Sequence, residues 1–220
     1  MNIEFVIARY KENIDWLLPY LDCDIKITIY NKNDDIHDSY IKNIDKRFNI
    51  IDLPNIGNEA HTYLYHIVNN YNNLADINFF LQGKISDHLP CITWNYNHEC
   101  PYKTLNEMFE DCAKYESSNN YTVINEFCNK QSLYTWREKN YKNEELNNYI
   151  CCFGDFFTTH IKNIFPDKLI CYKFGLFCVS NNKIRKKSLY YYQHLLNLPF
   201  KKNDELSHFF EHCWFYIFNN

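Results

Sequence analysis

Along its first ninety residues the chain changes hydrophobic period several times. Residues 2–8 form a short apolar run closed by the charged stretch Arg9-Tyr10-Lys11-Glu12, which predicts a strand followed by a loop. From Asn13 onward, Ile14, Leu17, Leu18 and Leu21 recur at helical spacing, with Asn13 as the cap. Residues 24–30 alternate and are rich in β-branched side chains, a second strand, followed by a turn cluster at 31–35. A weaker helical segment leads to a third strand at 48–51. Residues 53–58 read as a loop, with Asn58 as the N-cap of a helix whose apolar stripe is Ala60, Leu64, Ile67, Val68 and Tyr71. Residues 76–81 predict a fourth strand, buried on both faces. This β-α-β-(α)-β-α-β order with short connections predicts a mainly parallel sheet flanked by helices. Further on, helices are expected near 103–115, 153–164, 181–197 and 204–218, with one strand near 169–179 and loops or short helices over 116–150. No linker or repeat interrupts the chain, so one α/β domain over 1–220 is expected.

Composition narrows the function. Of 220 residues, 46% are hydrophobic and 23% charged, the usage of a folded domain. The net charge of −4 offers no basic field for a nucleic acid. The four glycines, Gly57, Gly83, Gly154 and Gly175, are far apart, which excludes both the dinucleotide fingerprint and the P-loop. Ten cysteines include no C-x-x-C pair, so zinc-finger and thioredoxin-like readings lose their ligands. Glu4 and Arg9 interrupt the opening apolar run, and no run reaches the roughly 18 residues of a spanning helix. The expectation is a cytoplasmic protein with reduced thiols and no membrane insertion.

Polar residues gather after each of the four strands. Arg9, Tyr10 and Glu12 follow the first, and Asn31 and Lys32 the second. Asn55, Gly57, Glu59 and His61 follow the third, and Gln82, Gly83, Asp87 and His88 the fourth. One polar loop is ordinary surface. Four at the carboxyl ends of parallel strands are expected to converge on one rim, where open α/β sheets bind ligands.

These clusters carry a resemblance. Ala8-Arg9-Tyr10-Lys11-Glu12 with Trp16, the block from Leu53 to Leu64 and Phe80-Leu81-Gln82-Gly83 with Asp87-His88 resemble a family recognised by A-R-Y-N-E-D…W, N-V-G-R-E-x-H-T-Y-L and F-L-Q-G…D-H. Phe153-Gly154-Asp155-Phe156-Phe157, the stretch from Gly175 to Ser180, and Glu211 with Trp214, Ile217 and Phe218 extend the match over nearly the whole chain. Here Lys11 stands where the family has Asn, Asn58 where it has Arg, and His212 where it has Arg. The family in turn resembles the sugar-nucleotide transferase architecture called GT-A. That resemblance implies a nucleotide-binding half over 1–90 and a more helical, acceptor-side half over 91–220. It also implies a nucleotide-diphosphate sugar donor and an acceptor as partners. The D-x-D metal motif that usually ends the fourth strand is replaced by Leu81-Gln82-Gly83.

Glycosyl transfer needs a cradle for a diphosphate, charge neutralisation and a base. Arg9 and Lys32 are the expected phosphate partners. Glu59, in the first turn of its helix, suits a ribose or sugar hydroxyl, or Arg9. Asp87-His88 is the expected Mg or Mn site in place of D-x-D, with His208 as a further ligand to metal or diphosphate, and Glu211 or Asp87 the expected base. Two alternatives stay open. One is a carbohydrate- or protein-binding module without turnover. The other is a zinc hydrolase, because His208-Phe-Phe-Glu211-His212 spells H-x-x-E-H.

Overall fold

The computed structural model describes residues 1–33, 35, 38–85, 105–119, 121–124, 153–202 and 205–219. Strands β1 (Ile3–Arg9), β2 (Ile25–Asn31), β3 (Asn49–Asp52) and β4 (Ile77–Gln82) run parallel. β1 is buried from Glu4 to Arg9, as a strand covered on both faces must be. Two strands, β5 (Tyr121–Ile124) and β6 (Leu169–Tyr172), form a separate antiparallel pair. The last, β7 (Phe177–Ser180), joins the main sheet antiparallel to β4 and completes the order β3-β2-β1-β4-β7. The sheet is therefore mainly parallel, as the patterning implied, with one antiparallel edge.

Seven α-helical segments accompany the strands among the described residues. They are α1 (Ser39–Asn43), α2 (Asn58–Asn70), α3 (Leu105–Tyr115), α4 (Phe153–Phe156), α5 (Asn181–Ile184), α6 (Leu189–Leu196) and α7 (Glu205–Asn219). One face of the sheet carries Val6, Tyr30, Phe80 and Phe177 against α2, α6 and α7. On α7 the contacts are Phe210, Cys213, Trp214 and Ile217, spaced for one helical face. The opposite face carries Phe5, Ile7, Ile29 and Leu81 against Leu17 and the apolar side of α3. No helix among the described residues is long and apolar enough to cross a membrane.

Several local expectations change. The segment after β1 is a 3-10 turn, Asp15–Tyr20, because Pro19 lies inside it and cannot donate to an α-helical ladder. The expected strand at 169–179 is two strands of different sheets, parted by a 3-10 turn at Lys173–Gly175. The expected helix at 181–197 is α5 and α6, each started by a serine cap, Ser180 and Ser188. That at 153–164 becomes a π-helical turn, Phe157–Ile161, and stops there. Residue 57, rather than Asn58, caps α2. Within the expected loop region 116–150, residues 121–124 are β5; residues 125–150 lie outside the described residues.

Candidate active-site cleft

Register brings the four parallel strand ends level. Arg9 pairs with Asn31, Asn31 with Asp52, and Ala8 with Gln82. The chain winds outward from β1 to β3, then returns to place β4 on the other side of β1. The crevice between β1 and β4 is thus a topological switch point, the place where such sheets take ligands. A cleft of about 330 Å³ opens there. Seven of the expected rim residues border it: Arg9, Tyr10, Glu12, Lys32, Asn55, Glu59 and Gln82. Ala8, Asn58 and Lys202, which sequence reasoning missed, complete the wall. The path to Lys202 is tertiary, since the Gly57 amide donates to the Lys201 carbonyl at 2.8 Å and moors that segment to the start of α2.

The loop after β1 is built by its own side chains. Glu12 Oε2 accepts from the amides of Tyr10 (2.6 Å) and Lys11 (3.1 Å). Arg9 is 1% exposed. Its Nε donates to the Glu12 carbonyl at 2.9 Å, and its Nη1 to Asn31 Oδ1 at 2.7 Å and Asp38 Oδ2 at 2.9 Å. Those bonds tie the loop to β2 and to Asp38, and Arg9 also borders the cleft. Lys32 is 3% exposed and donates its ammonium to the carbonyls of Ile56 and Asn58, which fixes a positive charge under the first turn of α2. That turn carries no side-chain cap.

At the inner end, three side chains surround Gly175. A β-carbon there would stand 3.6 Å from Glu211 Cγ, 3.8 Å from Glu59 Oε1 and 4.0 Å from Gln82 Nε2. These are ordinary contact distances, so it is the left-handed backbone (φ +63°) that favours glycine here, at the point where α2, β4 and α7 bring polar groups together. Burial pushes the Glu59 carboxyl up to about 7, and the neighbouring Glu211 charge adds to the rise. Its own amide, His208 and Lys32 oppose the shift. Glu59 nevertheless keeps part of its surface open to the cleft. His208 Nδ1 lies 3.7 Å from Glu211 Oε2.

Other expected site residues do different work. Asn31 is buried between Arg9 and Asp52, donating to Asp52 Oδ1 at 2.9 Å. Gly57 is the left-handed cap of α2 (φ +61°). His61 is buried away from the cleft, with its ring against Tyr65 and Phe200. The Gly83 amide donates to the Ala8 carbonyl at 2.7 Å, and its carbonyl accepts from Trp16 Nε1 at 2.8 Å, so this residue links β4 to the first loop. Asp87 and His88 lie outside the described residues.

Of the expected metal ligands, Asp87 and His88 lie outside the described residues, which leaves His208 and His212 to place. Among the described residues no three His, Cys, Asp or Glu side chains gather as a metal site. His212 Nδ1 bonds the His208 carbonyl at 2.7 Å and its ring packs on Phe153, whereas His208 faces Glu211. The two imidazoles of H-x-x-E-H thus have separate partners.

No curated protein matches the chain, and neither does any solved structure. Residues 5–220 match the family described as "Protein of unknown function (DUF3431)". The chain, over the span that its motifs implied, belongs to that family.

Proposed function

We propose that this protein is a glycosyltransferase that binds a nucleotide-diphosphate sugar in the crevice between β1 and β4 and passes the sugar to an acceptor hydroxyl. One observation carries the reading: Glu59 borders an open cleft at the switch point and meets Glu211 beside Gly175, where burial and then the Glu211 charge push its carboxyl up to about 7. A carboxyl group pushed up in this way can take a proton during reaction and release it afterwards. In the step, the acceptor oxygen forms a bond to the anomeric carbon. The bond from that carbon to the diphosphate oxygen breaks, its electron pair leaves with the nucleoside diphosphate, and the hydroxyl proton passes to Glu59. Glu211, expected from sequence as the base, acts here through its charge on Glu59.

Charge on the departing diphosphate is met by Lys202, by the fixed ammonium of Lys32 and by the first turn of α2, whose cap residue Gly57 brings no side chain. Tyr10 and Asn55 offer polar side chains along the same wall. A divalent cation stays in the test as an addition, with no step assigned to it. The experiment is release of nucleoside diphosphate from UDP- and GDP-sugars, with and without Mn. Wild type is expected to turn over at least one donor. Glu59→Gln is expected to lose roughly 10²–10⁴-fold of that rate while still binding the nucleotide. No turnover of any donor, or an unimpaired Glu59→Gln, contradicts the proposal.

A further inference from the structure

A buried carboxyl group that must become an anion needs hydrogen-bond donors, and Glu59 is such a group. The charges that act on it come from Glu211 and His208 on α7 and from Lys32 beneath the first turn of α2. One turn further along α2 stands Tyr63, fully buried, whose hydroxyl has no hydrogen-bond partner among the described residues. Residues four apart share a helix face, and an aromatic ring on a helix leans back over the preceding turn, which here begins at Glu59. Phe80, Phe177 and Trp214 hold that ring in place, with centroids 5.1, 5.7 and 5.9 Å away. Trp214, three residues after Glu211 on α7, is buried too, and its Nε1 also lacks an acceptor among the described residues. Buried donors without acceptors cost free energy and are few in folded proteins. Here two lie together, on the two helices that carry Glu59 and Glu211. Burial, and then the charges of Glu59 and Glu211, push the Tyr63 hydroxyl well above its ordinary value, so it remains a donor wherever Glu59 titrates.

We propose that Tyr63 is a positioning residue for the base: its hydroxyl donates to the Glu59 carboxylate when that group ionises and holds the anion ready for the acceptor proton. This inference rests on the sugar-transfer reading. An anion gains more from a donor than a neutral carboxyl group does, so the bond favours the charged form and opposes burial and Glu211. Packing alone would be served as well by phenylalanine, which brings no orphaned donor into the core.

The test follows the carboxyl C=O absorption by infrared difference spectroscopy as pH is raised, for wild type, Tyr63→Phe and Glu59→Gln. The band that Glu59→Gln removes belongs to Glu59. In Tyr63→Phe its midpoint should move up by about one pH unit, with a melting temperature at or above that of wild type. In the release of nucleoside diphosphate from UDP- and GDP-sugars, the low-pH limb should move up equally, with KM unchanged. Adding Tyr63→Phe to Glu59→Gln should lower the remaining rate no further. An unmoved midpoint beside an active wild type overturns the proposal and leaves the sugar-transfer reading standing. A Tyr63→Phe that melts several degrees below wild type assigns the hydroxyl to the core and also overturns the proposal. Wild type that turns over none of the nucleotide sugars overturns the underlying reading, and the proposal with it.

Discussion

Glu59 and Glu211 share one small volume, and what each does depends on the other's charge. If Glu59 is the base, the rate should rise with pH through its pKa of about 7, because only the carboxylate accepts the proton. Glu211→Gln removes the like charge that helps to hold this value up. The limb of the pH–rate profile should therefore move to lower pH, toward the ordinary carboxylate range, with measurable turnover remaining. A limb that stays in place would mean that Glu211 acts some other way. Arg9 presents the contrasting case of a charge used for construction. Arg9→Ala leaves Asp38 and Asn31 without their buried partner, and breaking a buried pair costs about 3–5 kcal/mol. Denaturant titration should register that loss as a lower midpoint. A variant of full stability that had lost only nucleotide affinity would return Arg9 to the phosphate.

Among the elements, α2 does most to set the cleft, because its first turn carries Asn58 and Glu59 into it. Its entry depends on Gly57, where a β-carbon would meet the Phe200 ring and stand 2.8 Å from His61 Cβ in a left-handed backbone. Gly57→Ala should cost about 1–2 kcal/mol in backbone strain, with overpacking added to it. Hydrogen exchange should quicken first in the opening turn of α2; uniform protection across the helix would contradict this. The strands β1 to β4 were legible within a residue, β1 and β4 because buried parallel strands appear as apolar runs, and β2 through its alternating β-branched residues. The break at Lys173–Gly175 was not. Apolar residues continue through it, and only Gly175 marks the place where the chain leaves one sheet for another. The end of α5 was hidden similarly, since Lys186 and Lys187 are good helix formers and only the Ser188 cap signals a new start.

For the molecule as a whole, the site was readable where it follows the sheet and obscure where it depends on packing between distant segments. Seven rim residues border the cleft because strand ends in a parallel sheet must lie together. The approach of Glu59 to Glu211 depends on how α7 docks on α2, which no local spacing encodes. Packing also buries His61, which was expected on the rim, and His66, whose ring meets Tyr30 and Phe80 on the sheet. Burial lowers His61 to about 4 and His66 to about 3, both below the unfolded value of 6.5. The unfolded chain therefore binds more protons in that window, and these groups make stability fall as pH drops from about 6.5 toward 4. His61→Phe should raise the melting temperature more at pH 5 than at pH 8; an equal gain at both would contradict the neutral, buried state. The central claim concerns the crevice between β1 and β4, and ligand-induced stabilisation tests it most directly. The measurement is the melting temperature of the intact chain with UDP- and GDP-sugars, with and without Mn, for wild type and for Asn55→Ala with Lys202→Glu. A ligand at 100-fold its Kd stabilises by about 2.7 kcal/mol. The predicted result is a clear upward shift for at least one nucleotide sugar, lost when the cleft wall is changed. No shift with any of them, or a shift equally large in the altered cleft, would contradict the account.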